Sequence, residues 1–228
     1  TLFDALSHEL RTPISTILGA SDHLLSEDKN LPDKDRKSLV LEIMHASERL
    51  NLLTENLLNM SRLESGFIRP KADWCDLSEL IYTVVNRLED SLSTHRIQVS
   101  LPENLPLVKL DFGLTEQVLH NLLINAVKHT PQNSLIRISA HAQQQQCTIE
   151  VSDSGNGFAD TDLPHIFEKF YRSRNAGPGG VGLGLSIAKG FVEAQGGTIT
   201  VESLPGTGAY FRISIPAELN YLKPENDD

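Results

Sequence analysis

The first side chains in this sequence able to do chemistry are His8, Glu9 and Thr12. On a helix turning about 100° per residue, Leu2, Phe3, Leu6, Leu10, Ile14, Ile17 and Leu24 gather into one apolar stripe, and His8 projects from the opposite side. The imidazole is therefore expected to face water, with Glu9 beside it in sequence and Thr12 one turn further along the exposed side. Pro13 offers no N–H to the carbonyl of Glu9 and its ring crowds that carbonyl, so the helix should be interrupted and bend just after the histidine. An exposed histidine alone is an ordinary solvated side chain, and its meaning depends on what else the chain carries.

Three patches further on have their own chemistry. Asn121, Asn125 and Lys128 recur at steps of four and three, so one helix face offers two amides and a cation while Leu119, Leu122, Leu123 and Ala126 mostly turn inward. An amide oxygen is a hard ligand suited to Mg²⁺, which takes few protein ligands and lets phosphates and waters complete its octahedron. The second patch is Asp153-Ser154-Gly155-Asn156-Gly157, directly after a strand pattern. A carboxylate there can accept a hydrogen bond from an exocyclic amine such as that of adenine, and the glycines let backbone approach a flat ring. The third, Gly177 to Leu185, is a glycine run entering a helix, whose unpaired N–H groups and dipole can hold phosphate oxygens. It fits neither the G-x-x-x-x-G-K-[ST] loop nor a dinucleotide fingerprint after a strand. Between the last two, Ile166 to Arg172 sets aromatics in a mobile, glycine-bounded segment, as expected of a lid. Taken singly these patches are helix-surface polarity, a turn and a flexible loop. Their information lies in occurring together.

Positioning them requires two kinds of architecture. Glu27 to Asp35 is a polar, proline-containing turn between two helical patterns. In the second helix Leu39, Ile43, Ala46, Leu50, Leu53, Leu57 and Met60 repeat at steps of four and three, the seam of a bundle rather than the broader face of a globular helix. One hairpin cannot enclose both apolar stripes, so two should pair about a two-fold axis into a four-helix bundle, unless the hairpin packs on the rest of its own chain. Ser65-Gly66 stops the helix and Pro70 keeps the following residues extended. Beyond lie a helix over 77–92, strands near 97–101 and 107–110, a helix over 114–129, strands over 136–142 and 148–152, a helix over 183–194, and strands over 198–202 and 209–215. Hairpins mixed with helices predict an α+β layer, one mixed sheet covered on one face. The expected divisions are 1–66 for the helical hairpin, 67–76 for a linker, 77–217 for the α+β domain and 218–228 for a frayed tail.

Composition narrows the partners. The 228 residues carry 30 acidic against 20 basic side chains, a net charge of −10 with no basic stripe, which argues against nucleic acid or an anionic membrane surface. Cys75 and Cys147 are isolated, without metal or dithiol spacing, and read as packing residues; His23, His45, His95, His141 and His165 show no metal spacing either. No apolar run is long enough to span a bilayer, and the chain opens inside a helical pattern without an initiator Met, so it reads as a piece of a longer protein.

Ser7-His8-Glu9-Leu10-Arg11-Thr12-Pro13 resembles the phosphoacceptor box of two-component sensor histidine kinases. The three later patches resemble the N box and the first two glycine boxes of the GHKL (Bergerat) ATP-binding fold, Ile166 to Arg172 resembles the F box, and Gly206-Thr207-Gly208 resembles the last glycine motif. Their order covers nearly the whole chain, and Asp73-Trp74, Leu105 to Asp111 and Lys128-His129-Thr130 are similar to the potassium-responsive KdpD group. The resemblance implies a helical hairpin forming a four-helix bundle as a homodimer, followed by a GHKL two-layer α+β sandwich. It also implies ATP and Mg²⁺ as cofactors and the receiver domain of a response regulator as partner, in the cytoplasmic region of a membrane-anchored bacterial sensor. Carried over residue by residue, it makes His8 the nucleophile toward the γ-phosphoryl group and Glu9 the group that orients or deprotonates it. Asn125 becomes the Mg²⁺ ligand, with Asn121 and Lys128 near the phosphates and His129 among the nucleotide contacts. Asp153 holds adenine with Gly155, Gly157 and Thr207 around it, Lys169 and Arg172 reach phosphate from the lid, and Gly180, Gly182, Leu183 and Gly184 line the triphosphate. Thr12 would serve dephosphorylation of the regulator, or merely bond back to the carbonyl of His8. Two rivals remain from other classes: a GHKL ATPase that drives a conformational cycle without phosphohistidine, and a non-enzymatic dimerisation and docking module.

Overall fold

The computed structural model describes residues 2–26, 31–173, 181–204 and 206–221. In chain order the elements are α1 (Leu2–Leu25), α2 (Asp33–Glu64), β1 (Asp73–Cys75), α3 (Leu77–Arg87), α4 (Glu89–Leu92), β2 (Arg96–Ser100), β3 (Leu107–Leu110), α5 (Phe112–His129), β4 (Leu135–Gln143), β5 (Gln146–Asp153), α6 (Gly184–Ala194), β6 (Thr198–Leu204), β7 (Gly208–Pro216) and β8 (Leu219–Asn220). Part of the turn between α1 and α2, residues 27–30, lies outside the described residues.

α1 and α2 pack along one another as a hairpin. The seam of α2 faces inward, with Ala46, Leu53 and Met60 buried at seven-residue intervals. α1 continues through Pro13 as one helix, so the interruption expected there is confined to one missing backbone bond. Its ring is buried, and the hydroxyls of Thr12 and Thr16 bond the carbonyls of His8 and Thr12, both at 3.1 Å, on either side of it. A second apolar line stays open: Ile14, Leu18 and Leu25 on α1, and Val40, Leu41 and Met44 on α2, are exposed in this single chain.

The remaining elements build two layers. The main sheet has the order β2-β4-β5-β7-β6, parallel only between β2 and β4. Alternation along its strands buries Ile136, Ile138 and Ala140, then Cys147, Ile149 and Val151, then Phe211, Ile213 and Ile215. Facing them are Leu77, Leu80, Ile81 and Val84 of α3, Val118, Leu119 and Leu122 of α5, and Ile187 and Phe191 of α6, in one core. Each such side chain contributes about 1.5–3 kcal/mol on burial. Two helix starts are set by aspartate caps: Asp76 accepts from the N–H groups of Ser78 and Glu79 at 2.7 and 3.3 Å, and Asp111 from that of Leu114 at 2.9 Å. Burial pushes the Cys75 thiol up to about 11 and that of Cys147 up to about 12, so neither is a reactive thiolate.

Three features differ from the sequence expectation. The helix expected over 77–92 is broken at Leu88 into α3 and α4. The stretches expected as linker and frayed tail each hold a short strand, β1 and β8, which flank β3 in a separate three-stranded antiparallel sheet. Among the described residues there are thus two sheets rather than one. Strands of three and two residues show no alternation to read; they exist because β3 pairs with them, with Lys109 bonded to Glu218 at 2.8 Å.

Candidate active site

Asp153, at the end of β5, ties the glycine turns together. Its Oδ1 accepts from the N–H of Gly155 at 2.9 Å and of Ala209 at 3.3 Å, which leaves Oδ2 for an incoming amine. Burial pushes its pKa up, opposed by those two N–H groups and by His129. The glycines nearest it are required by the fold itself. A Cβ on Gly155 would stand 2.5 Å from Cγ2 of Thr130, and one on Gly208, where φ is +89°, would stand 1.8 Å from the carbonyl oxygen of Asp153. Gly157 also has positive φ, and Thr207 is exposed on the turn between β6 and β7.

α5 presents the second group. Asn121 is buried, and its Nδ2 has no hydrogen-bond partner among the described residues. Such a donor is costly to leave unpaired, so it suits an acceptor outside the described residues. Asn125 is half-buried four residues on, while Lys128 and His129 keep exposed surface at the end of the helix. The pKa of Lys128 is lowered by burial first, then by Arg49 and Arg172, against the opposing effect of Glu9. That of His129 is lowered by burial and then by Lys128.

The hairpin and the α+β domain meet here. Glu9 is mostly covered; its Oε2 accepts from Nη2 of Arg49 at 2.7 Å and its Oε1 lies 4.0 Å from Nη1 of Arg172. The neighbouring His8 is exposed, as is Thr12, whose hydroxyl donates to the carbonyl of His8. The hairpin touches the second domain again where α2 ends, since a Cβ on Gly190 of α6 would stand 2.7 Å from the Leu63 methyls. Lys169 is at that contact, bonded to Glu64 at 2.7 Å.

The segment expected as a mobile lid is anchored over its described part. Ile166 is buried, Phe167 packs edge-on to Phe211, the N–H of Phe170 bonds the carbonyl of Gly182 at 3.0 Å, and Tyr171 and Ser173 both bond Asp162. Gly182 has φ of +71°, and a Cβ there would stand 2.5 Å from the carbonyl oxygen of Tyr171. Leu183 is buried and its backbone starts α6, whereas Gly184 faces open space. Gly180, with Gly177 and Gly179, lies outside the described residues.

Among the described residues the predicted site falls into four places, Asp153, Gly155, Gly157 and Thr207 at the strand turns, Asn121, Asn125, Lys128 and His129 along α5, Gly182, Leu183 and Gly184 at the start of α6, and Glu9 with Arg172 between domains, while Lys169 lies apart at Glu64. Arg49 has no signal in the sequence. It is one of many charged positions on a long helix, and only the hairpin brings it to Glu9, 40 residues away. No group of three or more His, Cys, Asp or Glu side chains able to hold a metal occurs among the described residues.

Comparison with known proteins places both halves. The family described as His Kinase A (phospho-acceptor) domain matches residues 1–66, and the family described as Histidine kinase-, DNA gyrase B-, and HSP90-like ATPase matches residues 111–219. Similar relatives include Sensor protein KdpD of Clostridium acetobutylicum, 36% identical over 96% of this chain and 25% of that protein. Sensor protein KdpD of Escherichia coli is 37% identical over 95% of this chain and 24% of that protein. The chain thus spans about a quarter of the length of these relatives. Among solved structures, full-length ShkA in complex with AMPPNP superposes with a TM-score of 0.72 at 28% identity, covering 95% of this chain and 46% of that one. ThkA in complex with the response regulator TrrA does so at 0.68 and 26%, covering 93% and 60%.

Proposed function

We propose, since this chain belongs to the sensor histidine kinases and is KdpD-like in its catalytic region, that it binds ATP with Mg²⁺, phosphorylates its own His8, and passes the phosphoryl group to an aspartate of a response regulator. The observation that carries this reading is the cluster at Glu9. The residue next to His8 in the chain is within 4.0 Å of Arg172, and Arg49 and Arg172 beside it add to burial in lowering the Lys128 pKa, which supports a reading in which Glu9 and the phosphate-side cations share one place.

Each group then has a task. Oδ2 of Asp153 accepts the exocyclic amine of adenine, and the turns at Gly155 and Gly208 hold that carboxylate still. The α6 N-terminus with open space at Gly184, Asn121 Nδ2, Lys128 and Arg172 supply donors and positive charge for phosphates. Asn125 is the amide suited to Mg²⁺, which when bound neutralises phosphate charge. The His8 ring nitrogen forms a P–N bond with the γ-phosphorus as the bond to the β,γ-bridging oxygen breaks, with ADP leaving. Glu9 orients the ring or takes its proton. Positioning and charge neutralisation supply most of the acceleration.

Incubation with γ-labelled ATP tests this. A protein-bound label that is lost in acid and kept in base is the expected result. ATP hydrolysis without label would favour the conformational ATPase, and neither activity a docking module.

Two further results are expected. The open apolar line supports a homodimer, and Leu18→Glu, 59% exposed in the single chain, should weaken dimerisation about a hundredfold while leaving the hairpin helical, because dimerisation would bury a charge. Light scattering and circular dichroism check it, and an unchanged dimer would reject that face. Thr12→Ala should leave autophosphorylation within about twofold and slow regulator dephosphorylation about tenfold, since orienting a water is a matter of placement. Equal dephosphorylation rates would leave Thr12 only its bond to the carbonyl of His8.

No helix among the described residues is long and apolar enough to cross a membrane. We assign the chain to the cytoplasmic side of a membrane-anchored sensor, on the likeness to KdpD.

A further inference from the structure

We infer that Arg49 is a positioning residue for phosphoryl transfer to His8: from α2 it fixes the carboxylate of Glu9, and it keeps that carboxylate in place whichever way the ATP-binding domain's own cations are turned. The inference deepens, and rests on, the kinase reading above.

The two arginines on Glu9 are not equivalent. Arg49 holds Oε2 at 2.7 Å, a charge-assisted hydrogen bond, and both partners belong to the hairpin that carries His8. Arg172 stands 4.0 Å from the other oxygen, beyond hydrogen-bond distance, and comes from the other domain. Glu9 is 14% exposed, so losing both cations would leave a mostly buried carboxylate without a partner. Lys128 feels Arg49, Arg172 and Glu9 together, three cations counting itself and one anion. That excess of positive charge suits incoming phosphates, and Arg172 and Lys128 are the members lying on the nucleotide-binding domain. When they turn to phosphate, the Arg49 bond still sets the direction of Glu9, and with it the group that orients the imidazole of the adjacent residue. A side chain with three rotatable bonds would otherwise have to be ordered at the moment of transfer.

The test uses the whole chain with MgATP, measuring initial rates of His8 labelling over a range of ATP concentrations. The set is wild type, Arg49→Ala, Arg49→Lys, Glu9→Gln and the double variant Glu9→Gln/Arg49→Ala. Arg49→Ala should lower kcat about 10- to 100-fold with KM for ATP within about twofold, and Arg49→Lys should recover part of the loss. In the Glu9→Gln background, Arg49→Ala should cost no further rate, because a residue that acts through another loses its effect when the other is gone. Circular dichroism and light scattering confirm that fold and assembly are kept, and Arg49→Lys carries the test if Arg49→Ala is misfolded. Multiplying losses in the double variant, unchanged kcat in Arg49→Ala, or a raised KM with kcat intact would each overturn the assignment. A wild type that takes no acid-labile label overturns the kinase reading itself, a different outcome from a labelled wild type whose Arg49→Ala variant is equally fast.

Discussion

His8→Gln is expected to abolish acid-labile labelling from γ-labelled ATP, a loss of at least about a thousandfold, while the affinity for a fluorescent ATP analogue stays within about twofold of wild type. The size follows from chemistry: an amide nitrogen has no lone pair able to attack phosphorus, and no positioned neighbour can replace a missing nucleophile. Retained nucleotide binding follows from geography. His8 is an exposed side chain on α1, whereas Asn121 is buried on α5 and Asp153, at the end of β5, is held by N–H groups of its own domain. Glutamine keeps the helix and has similar length, so α1 should be undisturbed. The decisive measurement is the labelled-phosphate assay after acid and base treatment, paired with the titration. Surviving acid-labile label in His8→Gln would put the acceptor elsewhere.

The second large effect is expected at Gly208. Alanine there is asked to adopt φ of +89°, and its Cβ would stand 1.8 Å from the carbonyl oxygen of Asp153 and 3.0 Å from the nitrogen of Gly155. All of these are backbone atoms, so relief requires moving the β5 end or the β7 start, which together hold the Asp153 carboxylate. Strain and overpacking of this kind cost about 1–3 kcal/mol each. Gly208→Ala should therefore lower the melting temperature of the ATP-binding domain by about 10 °C and weaken the ATP analogue at least about tenfold. Gly206 provides the comparison: its φ is +85°, but a Cβ there meets nothing within 4 Å, so Gly206→Ala should carry only the conformational cost, about 1–2 kcal/mol. Calorimetry on the two variants separates steric conflict from backbone preference, and equal melting temperatures for them would reject the steric account.

What the sequence by itself determined is whatever depends on short-range repetition. The seven-residue repeat along α2 requires a buried seam, and Ala46, Leu53 and Met60 are buried on it. Alternation in β4, β5 and β7 names the core face before any coordinates do, because a strand turns successive side chains to opposite sides. The order of the motifs named the family, because several motifs in sequence are far less probable by chance than one.

Only the tertiary structure decided the features made by partners far apart in the chain. β1 and β8 are too short to show a period and exist through pairing with β3. Gly155, expected to let backbone approach a flat ring, and Gly208, of the last glycine motif, both stand where one chain segment crosses another. Lys169, read as reaching toward phosphate, is bonded to Glu64. Arg49 meets Glu9 across 40 residues of sequence. The physical reason is the same in each case: periodicity reports which face of an element is kept from water, and it carries no record of which distant charge or carbonyl will stand against that face once the elements pack.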